Sequence, residues 1–539
     1  MLGMGQTSQG WAGPAAGEKV GVRVMRWRAL VPDAAFAVSC VTLFYCLFIF
    51  QGYQKLFRDS DAGWHIRTGE AILETGKLPR TDPYSFPRAG RPWLAWEWGS
   101  DVLMGAAHKA GGLGLVAWLY GCAIAAGVWV WFRLHWAVGG NFLLACVLAA
   151  PLLSTCSLHW LARPHIFGWI LLLAAVSYAE KVAAGKAAAR SSPARLAAVA
   201  AFAALWTNLH ASFFLAPAVA WLYAFSALVR PWIWNMDRET EWRRARWLGA
   251  AGVAAAAGTL LNPYGWALHR HVFGYLANGR LLARIGEFQS FDFQAAGAGQ
   301  ILLGLGVAAA GGVAALAGRH VARFLLAAML LSGALRYARG LPLAALVLLP
   351  LANGALTEAL ARASGLRPAM RAGLDAFLAY SARLRTLDAR LSGLAWAPIA
   401  ALAALALLRT PAIAAHTGFP PDQFPVAAAA RVAELPAQAR LLAPDKFGGY
   451  LIYCFAGQRK VFFDGRSDLY GADFLERYGR MVQLRPGWRE QVAKWGFTHA
   501  LLPHDYPLVE ALELWGWQVM YRDGVATLLA APPGFAGTR

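Results

Sequence analysis

Charge is scarce in this chain. Asp, Glu, Lys and Arg make up 15% of its 539 residues, where soluble domains run near a quarter. That excludes both an ordinary soluble enzyme and a disordered chain. Acids are scarcer than bases, 30 against 50, for a formal charge of +20. Cysteine is sparse: the six, at 40, 46, 122, 146, 156 and 454, form no CxxC pair and five lie in apolar stretches. Neither a disulfide framework nor a zinc site is implied. The basic, Gly-rich start shows no obvious cleavage site, so the first apolar run is expected to stay as an anchor.

What the chain has in plenty is apolar surface: 58% of residues are hydrophobic. A bilayer span needs about 20 mostly apolar residues. About eleven segments qualify, near 33–53, 113–135, 140–158, 165–180, 194–210, 212–230, 247–262, 298–318, 320–337, 340–354 and 391–410. The expected fold class is therefore mainly α, a polytopic bundle of about eleven spans. With the N-terminus inside, the inner connections collect 22 of the 50 Lys and Arg, as the positive-inside bias requires. Among them are Lys19, Arg23, Arg26 and Arg28 at the start, Arg190 in a central connection, and Arg362 to Arg390 late in the chain. Topology and anionic lipid account for the charge, and nucleic acid is not needed as a partner. The expected layout is a basic cytoplasmic segment 1–32, a membrane region 33–410 with a long outer loop 54–112, and an outer tail 411–539. Residues 355–390 read as a basic amphipathic helix lying on the inner surface.

This topology sends the polar residues to one face. The first loop carries Asp59, Asp61, His65, Glu97 and Asp101; later outward turns carry His159, Arg163, His165, Asn208, His210, Asn262, Tyr264, Glu287, Arg336 and Arg339. Such groups beside lipid usually line a cavity. A carboxylate there can deprotonate a hydroxyl or hold a divalent cation, and arginines bind phosphate bidentately. Trp93, Trp96 and Trp98 read as interfacial anchors rather than sugar platforms. Asp82, before Pro83, reads as a turn residue.

In the tail, RLLA, KVFFD, THALLP and VATLLAA read as short strands, and VAAAARVAEL and VEALELWG as helices, giving a small α/β domain. Gly448 and Gly449 permit a tight turn or close backbone approach. Asp464, Arg466 and Asp468 cluster in KVFFDGRSDLYG, either as a turn fixed by Arg466 or as a donor or acceptor contact.

The stretch DSDAGWHIRTGEAILETGKLPRTDPYSF, continuing to WLAWEWGSDVL, together with RPH, NLH, NPYG and the tail, resembles the GT-C superfamily of polytopic glycosyltransferases. The resemblance covers most of the chain in layout. It implies a polyprenyl-phosphate-linked sugar donor, a glycan, lipid or protein acceptor outside the cytoplasm, and a bacterial inner-membrane setting. Asp59 or Asp61, with Asp61 favoured as base, matches the family's first-loop acid. Arg163, Arg336 and Arg339 become donor-phosphate candidates, assisted by His165 and His210. Glu287 matches a second metal-binding acid, so the resemblance leaves open a cation such as Mg2+ or Mn2+ on Asp59, Asp61 and Glu287. DKFGGY stands where oligosaccharyltransferases carry an acceptor-binding WWDYG motif, but it has no paired tryptophans, so a peptide acceptor is not supported. The expected reaction is an inverting displacement at the anomeric carbon. The alternative is a lipid-linked-glycan transporter or flippase without chemistry. It is disfavoured because no inverted repeat is visible and the polar residues avoid the midplane.

Overall fold

A computed structural model describes residues 29–187, 189 and 192–535. The basic segment with Lys19, Arg23, Arg26 and Arg28, and also Arg190, lie outside the described residues. Helix α1 (Ala34–Phe48) starts at Asp33, whose carboxylate accepts from the Phe36 N–H; an N-cap oxygen satisfies a donor the first turn cannot pair internally. Helix α2 (Asp61–Thr75) ends on Gly76 in the left-handed region. Helix α3 (Trp98–Ala137) is kinked at Gly111–Gly112. The long loop is thus helical over about half its length: α2 and the first 13 residues of α3 lie in it, on either side of an irregular stretch 76–97.

The bundle continues with α4 (Phe142–Ser157), α5 (His165–Ala183), α6 (Pro193–Leu209), α7 (Leu215–Trp234), α8 (Arg238–Gly258) and α9 (Trp266–Ala277). It closes with α10 (Ala298–Ala317), α11 (Val321–Arg336), α12 (Gly340–Arg362), α13 (Pro368–Asp388) and α14 (Ala397–Leu408). A helix occupies each of the apolar segments. Among the described residues, five of these stretches are long and apolar enough to cross a membrane: α3, α5, Ala211–Trp234, α10 and α12. The protein is a membrane protein. One expectation needs correcting. Residues 355–362 continue α12, and only α13 forms a separate basic helix.

The tail holds α15 (Val426–Ala433), α16 (Asp445–Cys454), α17 (Ala472–Val482), α18 (Trp488–Trp495) and α19 (Pro507–Leu514). Its four strands, β1 (Leu441–Leu442), β2 (His499–Pro503), β3 (Gln518–Arg522) and β4 (Ala526–Ala530), lie in the order β1-β2-β4-β3. The β1–β2 pair is parallel and the others antiparallel. KVFFD is not a sheet strand: it runs extended and makes one isolated parallel bridge, Val461 to Ser85 of the first loop. DKFGGYLIY, where Gly448 and Gly449 permit a tight turn or a close backbone approach, is the helix α16 and makes the close approach.

One apolar cluster joins tail and first loop, uniting Trp64, Tyr84 and Trp93 with Phe447, Leu451, Val461 and Leu528. Trp93 is therefore an interior residue and not a lipid anchor. Gly449 sets the spacing of α16 on α2, since a Cβ there would come within 2.8 Å of the Ser60 carbonyl oxygen. A buried ion pair reinforces the seam. Arg466 bridges Asp464 (2.8 Å) and first-loop Asp82 (2.8 Å), with the Trp93 and Tyr84 rings stacked on its guanidinium. Asp82 is also the turn residue expected, accepting from the Tyr84 and Ser85 N–H groups.

Candidate active site

A cavity of about 1140 Å³ opens where α2, the loop ends of the bundle and the tail meet. Its centre is Arg163, in the turn between α4 and α5. One Nη lies 2.8 Å from Asp59 Oδ2 and 3.7 Å from Glu287 Oε2, and the other lies 2.9 Å from Asp61 Oδ2. Glu287 in turn holds Arg339 at 2.8 Å. Two guanidinium groups thus face three carboxylates. Asp61 is buried, and Trp64 Nε1 donates to its Oδ1 at 3.1 Å. Burial and the adjacent Asp59 push its carboxyl up to about 7, against the pull of Arg163. Burial also pushes Glu287 up, yet Arg339 and Arg163 outweigh that and hold it near about 2.

The Asp61 carboxylate is also pressed from the tail side. A side chain at Gly465 would collide with Asp61 Oδ1, so the DGRSD turn closes directly over the acid.

A second group lies further along the same wall. His65 stacks on Trp64 at 3.6 Å between ring centroids. His65 Nδ1 is 2.5 Å from Asp101 Oδ1, and His65 Nε2 is 4.0 Å from Glu97 Oε2. Glu97 Oε1 is 3.4 Å from His210 Nε2. Burial pushes Glu97 up to about 7.

Of the residues expected at the site, Asp59, Asp61, His65, Glu97, Arg163, His165, His210, Glu287, Arg339, Asp464, Arg466 and Asp468 line the cavity. Four do not. Arg336 lies over the Tyr337 ring. Asn208 accepts from Trp98 Nε1 and donates to the Ala204 and Leu261 carbonyls. Asn262 caps its own turn by accepting from the Tyr264 N–H, and the Tyr264 hydroxyl accepts from the Ala95 N–H. These last three are structural amides and a structural phenol. His165 reaches the cavity while its Nε2 bonds the His159 carbonyl oxygen, and His210 sits with Glu97 and not with the guanidinium pair.

Sequence reasoning missed Arg58, Lys446 and Tyr275, which also line the cavity. Arg58 directly precedes Asp59 and Lys446 lies within DKFGGY, and adjacency was the available signal. Trp96, expected at a lipid interface, lines the cavity instead.

As a cation cage, Asp59, Asp61 and Glu287 fit poorly. Each of their six oxygens already faces a donor: the Asp61 N–H, Trp64 Nε1, Arg163 or Arg339. Among the described residues, no group of three or more His, Cys, Asp or Glu is arranged to hold a metal.

A polytopic helical bundle with a partly helical first loop, a small α/β tail and a cavity between them is a GT-C-like fold. The archaeal oligosaccharyltransferase AglB from Archaeoglobus fulgidus, solved with an inhibitory peptide and a dolichol-phosphate, superposes with a TM-score of 0.54 at 12% identity. That match covers 87% of this chain and 69% of AglB. ArnT from Cupriavidus metallidurans in the apo state matches with a TM-score of 0.50 at 14% identity, over 97% of this chain and all of ArnT. No protein-family profile and no curated protein matches the sequence.

Proposed function

We propose that the chain is a membrane glycosyltransferase that moves a sugar from a polyprenyl-phosphate-linked donor to an acceptor outside the cytoplasm. The observation carrying this reading is the Arg163 guanidinium held between Asp59 and Asp61 in a cavity whose lining also includes the apolar Phe214, Leu215, Leu276, Met329 and Leu330. That pairing suits a phosphate on a hydrocarbon chain. The dolichol-phosphate bound to AglB is a lipid phosphate of the same class. The tail, the cavity and the first loop face the non-cytoplasmic side of a bacterial inner membrane in this reading.

Asp61 is the base. A carboxylate that titrates near neutrality is matched to accepting a hydroxyl proton, and Asp61 sits at about 7. The acceptor oxygen attacks the anomeric carbon from the face opposite the phosphate, its proton passes to Asp61, and the carbon–oxygen bond to the lipid phosphate breaks. Configuration inverts. Arg163 and Arg339 meet the charge that develops on the departing phosphate. The donor phosphate competes with Asp59 and Asp61 for Arg163, so its arrival frees the Asp61 carboxylate for the acceptor.

The test is purified protein in nanodiscs with a panel of polyprenyl-phosphate sugars, scored by release of polyprenyl phosphate. The wild type turns over at least one donor, with an acidic limb near pH 7. Asp61→Asn loses roughly 10²- to 10⁴-fold while still binding that donor. Translocation of intact donor with no glycosyl cleavage would replace this reading with a flippase.

A further inference from the structure

We propose that Glu97 and His210 form a sugar subsite, separate from the guanidinium end, that binds neighbouring hydroxyl groups of the transferred sugar over the Trp96 ring. The inference rests on the donor reading above and specifies what the far end of the cavity recognises.

Glu97 differs from the other carboxylates beside it. Asp59, Asp61 and Glu287 are each held by a guanidinium, whereas Glu97 is flanked by imidazoles. The Ser212 N–H donates to His210 Nδ1 at 3.2 Å. A neutral imidazole that accepts at Nδ1 carries its proton on Nε2. That Nε2 is buried and, among the described residues, has no hydrogen-bond partner: Glu97 Oε1 lies 3.4 Å away but out of line for a bond. Buried donors without partners are rare and call for an occupant. A hydroxyl on the cavity side of the pair, off the line that joins them, would accept from His210 and donate to Glu97, which a carbohydrate hydroxyl does at once.

Oε2, the other oxygen of the carboxylate, lies 4.0 Å from His65 Nε2 and accepts no hydrogen bond among the described residues, so it can accept from a second hydroxyl. The Ala211 N–H fixes the carboxylate by donating to Oε1. Trp96 supplies the apolar surface that a sugar's C–H face needs, and its ring is set edge-on against His271 (5.0 Å) and Tyr275 (5.5 Å). The subsite is in register with the proposed base. Asp61, Trp64, His65 and Glu97 follow one another along a continuous wall through a 3.1 Å hydrogen bond, a ring stack and a 4.0 Å approach. A sugar whose anomeric carbon lies beside Asp61 and Arg163 extends its remaining hydroxyls towards Glu97.

The experiment compares three ligands on the full-length protein: a short-chain polyprenyl-phosphate sugar that is turned over, its monodeoxy analogues at each ring position, and the sugar-free polyprenyl phosphate. Wild type is expected to discriminate against one or two deoxy positions by roughly 10- to 100-fold in KM, as hydrogen bonds to a charged group would give. Glu97→Gln and His210→Phe are expected to erase that discrimination while leaving affinity for the sugar-free lipid phosphate unchanged. Retained lipid-phosphate affinity also establishes that the variants are folded. Undiminished discrimination at every position in both variants overturns the subsite and leaves the donor reading intact. Failure of the sugar-free lipid phosphate to bind wild type in an Arg163-dependent manner overturns the donor reading, and the subsite with it.

Discussion

Two buried arginines, at opposite ends of the same bundle, have different surroundings. Arg323, at the start of α11, meets one carboxylate: its Nε and Nη2 lie 3.0 and 2.7 Å from the two oxygens of Glu180, and the Tyr223 hydroxyl donates to that carboxylate at 2.7 Å. The pair is closed and balanced, beside a void of only about 30 Å³. Arg163, beyond the other end of α5 from Glu180, is shared by three carboxylates and faces about 1140 Å³ of open cavity. The chemistry of the groups is the same, so their stoichiometry and access tell the two apart. A saturated pair in a tight space holds helices together. An oversubscribed guanidinium with room beside it is ready to exchange a carboxylate for an incoming anion.

The widest separation between the two centres should come from removing a carboxylate at the closed one. Glu180→Ala leaves Arg323 buried and unpaired, which costs about 3 to 5 kcal/mol. Unfolding in detergent should show that loss, while turnover per folded molecule stays at the wild-type level. A fall in turnover without lost stability would dissolve the distinction. At the open centre the pattern reverses. Arg163→Ala should lower kcat/KM by roughly 10²- to 10³-fold, the effect of removing one preorganised donor to a developing charge, with a smaller change in Tm than Glu180→Ala. Gly465→Ala tests the tail's hold on the same centre. Its methyl group displaces the Asp61 carboxylate, and a displacement of about an ångström costs up to roughly 10²-fold in turnover, while binding of sugar-free lipid phosphate is retained.

A smaller effect follows from proton linkage. Asp61 titrates at about 7 in the folded protein, above the ordinary 3.8 of an aspartate. Between those values the folded state keeps a proton that the unfolded chain has released. The stability this contributes is full below about pH 4 and is lost as pH rises through about 7. Tm should therefore fall across that window more steeply in wild type than in Asp61→Asn, by a few degrees at most.

Much of this contrast is legible in the sequence, unevenly. Helices form where apolar runs predict them, because hydrophobic length is a local property of the chain. The gathering of Asp59, Asp61, Arg163 and Glu287 follows from topology, since alternate connections must share a membrane face. What the sequence hides is which way a turn residue points. Asn208 and Asn262 are the right residue type at the right end of the bundle, yet their amides are spent on backbone carbonyls and Trp98. In the tail, β3 escaped notice because GWQVMYRD pairs on one edge only and is mostly exposed, so it lacks an alternating apolar face. KVFFD has that apolar character but finds its partner in the first loop, some 375 residues earlier in the chain, at the seam that Arg466 seals.

The finest comparison is within RYARG itself. Arg336 and Arg339 are three residues apart, a spacing that on a continuous helix would place them on one face. The helix does not continue: Tyr337 is extended, with φ −135° and ψ 122°. Arg336, the last residue of α11, folds over the Tyr337 ring. Arg339 lies past the break, where its N–H and its guanidinium both bond Glu287, at 3.0 and 2.8 Å. Arg339→Ala removes a charge from the cavity and frees Glu287 to compete for Arg163, so kcat/KM should fall by about tenfold, the size of one charge-assisted hydrogen bond. Arg336→Ala removes only a stacked cation outside the cavity, worth about 0.5 to 1 kcal/mol at an exposed site, and turnover should stay within about twofold of wild type. The two variants have the same formal charge, so the pair isolates position from electrostatics. Equal losses in both would mean that net positive charge near the cavity, and not the Glu287–Arg339 contact, governs binding of the lipid phosphate.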